Sequence, residues 1–152
     1  MPAISVLAAR PVVSALEQRG IDPGPVLRTA HLSREALASY DNRLPAATVQ
    51  RLWEAAAVAC RDRSFGVHVA ETLPPGALDL YDYLISTAAN VGEGLARVAE
   101  YIRVIDDRST LRLTVEPRGA RLLCAASPPS QQLDEFALTL LLVRTRQACG
   151  VE

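Results

Sequence analysis

The chain contains no lysine: all 16 of its basic residues are arginines. This excludes Schiff-base chemistry and a phosphate loop that depends on a Gly-Lys-Ser/Thr lysine. Its three cysteines, Cys60, Cys124 and Cys149, are odd in number and far apart, and neither histidine, His31 or His68, stands at ligand spacing from them. They offer neither a disulfide framework nor a metal or redox pair, so no metal and no cofactor is expected. No apolar run reaches the roughly 18 residues of a membrane span. A basic stretch followed by an apolar leader is also missing, and a cytoplasmic protein without membrane contact is expected. The net charge of −1 supplies no bulk basic face for DNA phosphates. Gly-x-Ser-x-Gly is absent. The adjacent acids Asp106-Asp107 and Asp134-Glu135 do not share a helix face and read as solvated helix-end charges. An enzyme is therefore not expected.

What the chain does have is helical period. Its 152 residues, 49% hydrophobic and 22% charged, suit one domain over 1–152 with a real core. Pro11 suits the first turn of a helix that Gly20 stops, with Val12, Val13 and Leu16 as its buried stripe. Asp22-Pro23 restarts the chain as a cap and first helical residue, and Ser33 caps a short helix through Ala38. The next helix opens at Leu44-Pro45 and runs to about residue 61. Val49, Leu52, Trp53, Ala56, Ala57 and Cys60 keep its period, with Arg51 and Glu54 off that face. A short helix spans 65–71, and the Pro-Pro-Gly after Leu73 forces a loop. Two more helices are expected near 79–88 and 92–106. The second places Leu95, Val98, Ile102 and Ile105 on one stripe, with Glu93 and Arg97 paired outside.

Residues 110–115 alternate as a half-buried strand, Pro117-Arg118-Gly119 turns the chain, and 120–126 returns. A lone hairpin is marginal, so completion by a segment near the N-terminus or by a partner chain is expected. The last helix, 131–149, is apolar nearly all round between Phe136 and Val143, which suits one face on the sheet and another in a dimer interface. The predicted class is α+β: mainly helical, with a small antiparallel hairpin in the C-terminal third and a final apolar helix.

The motifs also stand in a familiar order. They are Asp41-x-Arg43-Leu44-Pro45, then Arg51-Leu52-Trp53-Glu54, Phe65-Gly66 and Pro75-Gly76. Tyr83, Ser86, Gly92-Glu93, Leu95, Tyr101 and Arg103 follow, flanked by Arg19 to Pro23 and by Glu135-Phe136. This series, spanning nearly the whole chain, resembles the N-terminal effector ("arabinose-binding-like") domain of bacterial AraC/XylS-type transcriptional regulators. The resemblance implies a domain that senses a small organic effector and forms a homodimer. It also implies that DNA is bound through a helix-turn-helix domain outside these residues.

On that reading the candidate pocket wall comprises Trp53, Phe65, His68, Leu78, Tyr83, Leu84, Tyr101 and Ile102, and the candidate dimer interface Leu138, Leu142 and Val143. The effector, apolar or amphipathic from the composition, is expected between the helical pair 79–106 and the sheet. Each residue also has a plainer role. Trp53 and Phe65 suit a core as well as a pocket, His68 suits a surface, and Tyr83 and Tyr101 suit a core with a bonded hydroxyl. Tyr81 reads as exposed. Asp41 is positioned to fix Arg43 locally. The loop at 73–80 reads as a connector or as a rim. A ligand-free dimerisation or protein-interaction domain is the alternative. A filled core around Trp53, Tyr83, Leu95 and Ile102 would favour it, whereas a pocket of about 300 Å3 or more would favour the sensor.

Overall fold

In the computed structural model, which describes residues 1–151, the chain opens with a three-residue strand, β1 (Ala3–Ser5). A 3-10 turn leads into α1 (Arg10–Gln18), which has Pro11 in its first turn, buries Val12 and Leu16, and stops before Gly20 at φ +70°. In α2 (Pro23–Thr29) the Asp22 carboxylate accepts the Gly24 N–H at 3.0 Å, the cap that the sequence signals. The helix expected after Ser33 is a single 3-10 turn, Glu35–Leu37, with Ser33 Oγ accepting from the Ala36 N–H. Strand β2 (Arg43–Pro45) then pairs antiparallel with β1, Ile4 facing Leu44.

Helix α3 (Ala46–Cys60) forms the centre. Its stripe of Val49, Leu52, Trp53 and Ala56 is fully buried. It is followed by α4 (Phe65–Thr72), α5 (Leu80–Ser86) and α6 (Val91–Ile105). Strands β3 (Ser109–Glu116) and β4 (Gly119–Ala126) form the predicted hairpin, in which Leu111 faces Cys124 and Leu113 faces Leu122. The chain closes with α7 (Gln131–Cys149). The architecture is the α+β class expected, mainly helical with two small antiparallel sheets.

Several expectations are corrected. Within one chain the hairpin is not completed by the N-terminal segment: β1 pairs with β2, and an isolated bridge between Ile4 and Asp106 links β1 to the residues ahead of β3. The buried stripe of α7, with Leu133, Phe136, Leu140 and Leu141, packs chiefly on α4 and α3 rather than on the sheet, and β3 lies against α6. The close approach of α4 and α7 depends on Gly66, where an added Cβ would lie 2.0 Å from the Gln132 carbonyl oxygen. The Gln132 amide fills that junction, accepting the Gly66 N–H and donating to the Arg63 carbonyl, both at 2.9 Å. Glu54, though off the buried stripe of α3, accepts the Gln132 N–H and the Ser130 hydroxyl at the start of α7.

Asp106 and Asp134 are not solvated helix-end charges. Both accept from Arg108, whose side chain is 1% exposed and also donates to the Pro128 carbonyl. Arg43 pairs with Asp107 at 2.7 Å instead of with Asp41 and donates to the Ala3 and Val104 carbonyls. The tyrosines of α5 are exchanged: Tyr81 is 6% exposed and Tyr83 is 63% exposed. Tyr101 on α6 faces outward rather than into the core.

Candidate functional site

The turn between α5 and α6 is set by side chains that bond neighbouring backbone. Asn90 Oδ1 accepts the Glu93 N–H at 3.0 Å, and Glu93 reaches back to the Ala89 N–H at 2.9 Å, a reciprocal capping arrangement. The bond from Ala89 holds the Glu93 carboxyl below the usual range against the opposing effect of desolvation, and Arg97 at 2.5 Å adds to it. Gly94 gives α6 a flat inner face, where an added Cβ would sit 3.6 Å from the Ile85 Cα. The two helices thereby form one wall.

The last turns of α7 form the facing wall, and Pro75, Gly76 and Asp79 form the rim. Between them lies a partly open cleft of about 740 Å3. Ile85, Val91, Leu95 and Ala148 give it apolar surface, and Tyr83, Ser86, Asn90, Thr145 and Gln147 supply directional polar groups. That volume and mixture are those of small-molecule sites. A shallower groove of about 420 Å3, bordered by Arg10, Glu17 and Tyr40, lies on the other side of the Pro74-Pro75 loop.

A buried ion pair sits at the base of the cleft. Arg144 Nε donates to Asp82 Oδ1 at 2.5 Å, Nη1 to the Leu73 carbonyl and Gln147 Oε1, and Nη2 to the Pro74 carbonyl. The second Asp82 oxygen accepts the Leu78 N–H at 3.0 Å. One guanidinium thus ties α7 to α5 and to the loop that rims the cleft. Asp79 occupies the N-cap position of α5 without a side-chain cap bond, at φ +44° and ψ −104°. A non-glycine residue held there is strained by an amount of order 1–3 kcal/mol.

Of the residues expected in a pocket, Tyr83 lines this cleft. Leu78 and Ile102 border a small cavity of about 50 Å3, and Ile102 and Leu138 border another of about 90 Å3 beside the hairpin. The space between the helical pair and the hairpin, where an effector was expected, therefore holds cavities smaller than an organic ligand requires. The large cleft is on the α7 side of the helical pair. Leu84 is buried in the core, as are Trp53 and Phe65. The Trp53 indole donates to the Ala8 carbonyl at 2.9 Å, and its ring lies 5.8 Å from Phe65 and 4.6 Å from Phe136, centroid to centroid. His68 lies at the surface, 2.9 Å from Asp62. Burial pushes the Tyr81 phenol far above its usual range, and the Asp82 charge adds to this, so Tyr81 stays neutral. Partial burial likewise raises the Cys124 thiol, which argues against a reactive thiolate.

Sequence reasoning missed Asp82 and Arg144. The available signal was a charge within each of two apolar stretches, Asp82 between two tyrosines and Arg144 directly after the four apolar residues 140–143. Among the described residues, no group of three or more His, Cys, Asp or Glu could hold a metal ion, and no helix is long and apolar enough to cross a membrane.

The family model described as the arabinose-binding domain of AraC transcription regulators, N-terminal, matches residues 20–152. No curated protein matches the chain.

Proposed function

Because this chain belongs to the family of N-terminal arabinose-binding domains of AraC transcription regulators, a family of ligand-sensing regulatory domains, we propose that it binds a small organic effector in the cleft between α5, α6 and the end of α7. The observation that carries this reading is the cleft of about 740 Å3 with the last turns of α7 as one wall. The apolar surface at Ile85, Val91, Leu95 and Ala148 beside the cleft's polar groups favours an amphipathic effector over a sugar hydroxylated on every side, whose hydroxyls against the apolar wall would lose water without partners.

The signal passes along α7. Its inner side meets the cleft at Arg144 and Ala148, while Leu138 and Leu142, 52% and 50% exposed, look outward. Leu142 and Ala148 are six residues apart, about 9 Å along a helix. An effector that prefers one placement of α7 shifts the population of the regulator by that differential affinity. The response reaches DNA through another domain of the regulator, in the cytoplasm. Leu138, Leu142 and Val143 form the centre of a homodimer contact. This also carries the second reading, a dimerisation module without ligand, because two half-exposed leucines at i,i+4 make an apolar stripe on one helix face.

The test is a thermal-shift screen of amphipathic small molecules on the chain and on Ala148→Phe, a substitution at an exposed cleft position. Ligands that stabilise the wild type should lose most of their effect in the variant while its circular dichroism stays unchanged. Ligands that stabilise both proteins equally would place the effector elsewhere. A screen without a ligand, with a stable dimer, would leave the dimerisation module as the better reading.

A further inference from the structure

We propose that the cleft takes an amphipathic molecule whose polar end is a cationic amine, received by Asp79. This rests on the reading of the cleft as the effector site. Three residues with formal charge line the cleft: Asp79, Asp82 and Arg144. The last two neutralise one another, with side chains 9% and 4% exposed, and Arg144 places three of its other four N–H donors on Leu73, Pro74 and Gln147. The pair therefore presents no net charge to a ligand. Among the described residues, the Asp79 carboxylate makes no ion pair and no hydrogen bond, and it is exposed at the rim. The wall therefore has one unneutralised charge, and it is negative.

The backbone supports the same assignment. Asp79 holds a positive φ that glycine would accept with less strain, and its side chain does not repay that strain by capping α5. Tyr83, one turn on, is exposed and also lines the cleft. A carboxylate and an electron-rich ring on one cleft are suitable receivers for an ammonium group. The apolar body of the molecule would lie on Ile85, Val91, Leu95 and Ala148. A carboxylate ligand would meet Asp79 as a like charge and would find Arg144 already engaged.

The experiment measures, by isothermal titration calorimetry on the 152-residue chain, three probes with one apolar body: 3-phenylpropylamine, 3-phenylpropan-1-ol and 3-phenylpropionate. The amine should bind about tenfold more tightly than the alcohol or the carboxylate, which is about 1.4 kcal/mol. Asp79→Asn, close to isosteric and tolerant of positive φ, should remove that preference and leave the affinity for the alcohol unchanged. A carboxylate that binds as well as the amine, or an amine affinity unchanged in Asp79→Asn, would overturn the charge assignment and leave the cleft as the effector site. If no probe binds, or if amine binding survives Ala148→Phe, the cleft reading fails along with it.

Discussion

Arg144 and Asp82, 62 residues apart in sequence, meet at 2.5 Å between Nε and Oδ1 with both side chains buried. A buried pair of this kind contributes less than its geometry suggests, because both charges lose their water. Removing one partner is costly because the other charge is left uncompensated. Asp82→Asn and Arg144→Met should each destabilise the protein by about 3–5 kcal/mol in urea denaturation. The double substitution Asp82→Leu with Arg144→Met should recover a large part of that loss. A double variant as unstable as the sum of the singles would show that the carbonyls of Leu73 and Pro74, rather than Asp82, are the important partners of Arg144.

Gly66 permits a close backbone approach between α4 and α7. An added Cβ would lie 2.0 Å from the Gln132 carbonyl oxygen and 2.9 Å from its carbon, and neither atom belongs to a flexible side chain. Gly66→Ala must push α4 away from α7, so the gain in helix propensity should be outweighed by about 1–3 kcal/mol of overpacking or more. Gly20→Ala places its methyl in open space and costs only the strain of a left-handed residue. Chemical denaturation of the two variants separates steric from conformational cost.

The elements with the strongest periods were legible in the sequence. The stripe of Leu95, Val98, Ile102 and Ile105 set α6, and strict alternation set the hairpin, because each pattern is local. Where contacts are not local, the reading failed. Helix α5 is seven residues long, too short for its period to decide between Tyr81 and Tyr83. Asp106 and Asp134 look like surface acids until Arg108 is seen to bond both. The cleft was missed for the same reason: its walls come from α5, α6 and α7, and sequence spacing does not show that α7 turns its polar end toward the helical pair.

Trp53 is the only tryptophan, it is fully buried, and its indole donates to the Ala8 carbonyl at 2.9 Å. Its fluorescence should be blue-shifted in the folded protein and move to the red in one transition with the loss of helical dichroism. Trp53→Phe keeps an aromatic ring against Phe65 and Phe136 but leaves a carbonyl without its donor and a small void. A loss of about 2–4 kcal/mol is expected from the two effects together.

Asp62 sets part of the acid response. Burial raises its carboxyl, but hydrogen bonds from His68 and from the Ser64 N–H, together with Arg19, outweigh it and hold the carboxyl below the usual range. The folded state then binds fewer protons than the unfolded state in this range. The stability from Asp62 is present above the unfolded value of about 3.9 and is lost as pH falls through the lower folded value. The pairs are at the surface, so the contribution is at most about 1 kcal/mol. Urea midpoints between pH 6 and pH 3 should fall more steeply for the wild type than for Asp62→Asn. Parallel curves would show that other carboxylates carry the acid limb.

The outward stripe of α7 makes the last prediction. Leu138 and Leu142 are each about half exposed, and Leu138 borders the small cavity shared with Leu111 and Cys124 on the hairpin. Two leucines are far short of the roughly 800 Å2 per partner that a stable dimer buries. A dimer centred on them must therefore draw on the half-covered hairpin face, where Val115 at the tip stays exposed. Leu138→Glu with Leu142→Glu should convert a dimer to a monomer in sedimentation velocity, because it places like charges at the centre of a desolvated contact. Val115→Lys, at the edge, should weaken the dimer by less. Neither leucine lines the cleft, which meets α7 only from Arg144 onward, so the double variant should keep effector binding. If it lost binding while folded, the stripe would belong to the ligand site and not to a separate interface.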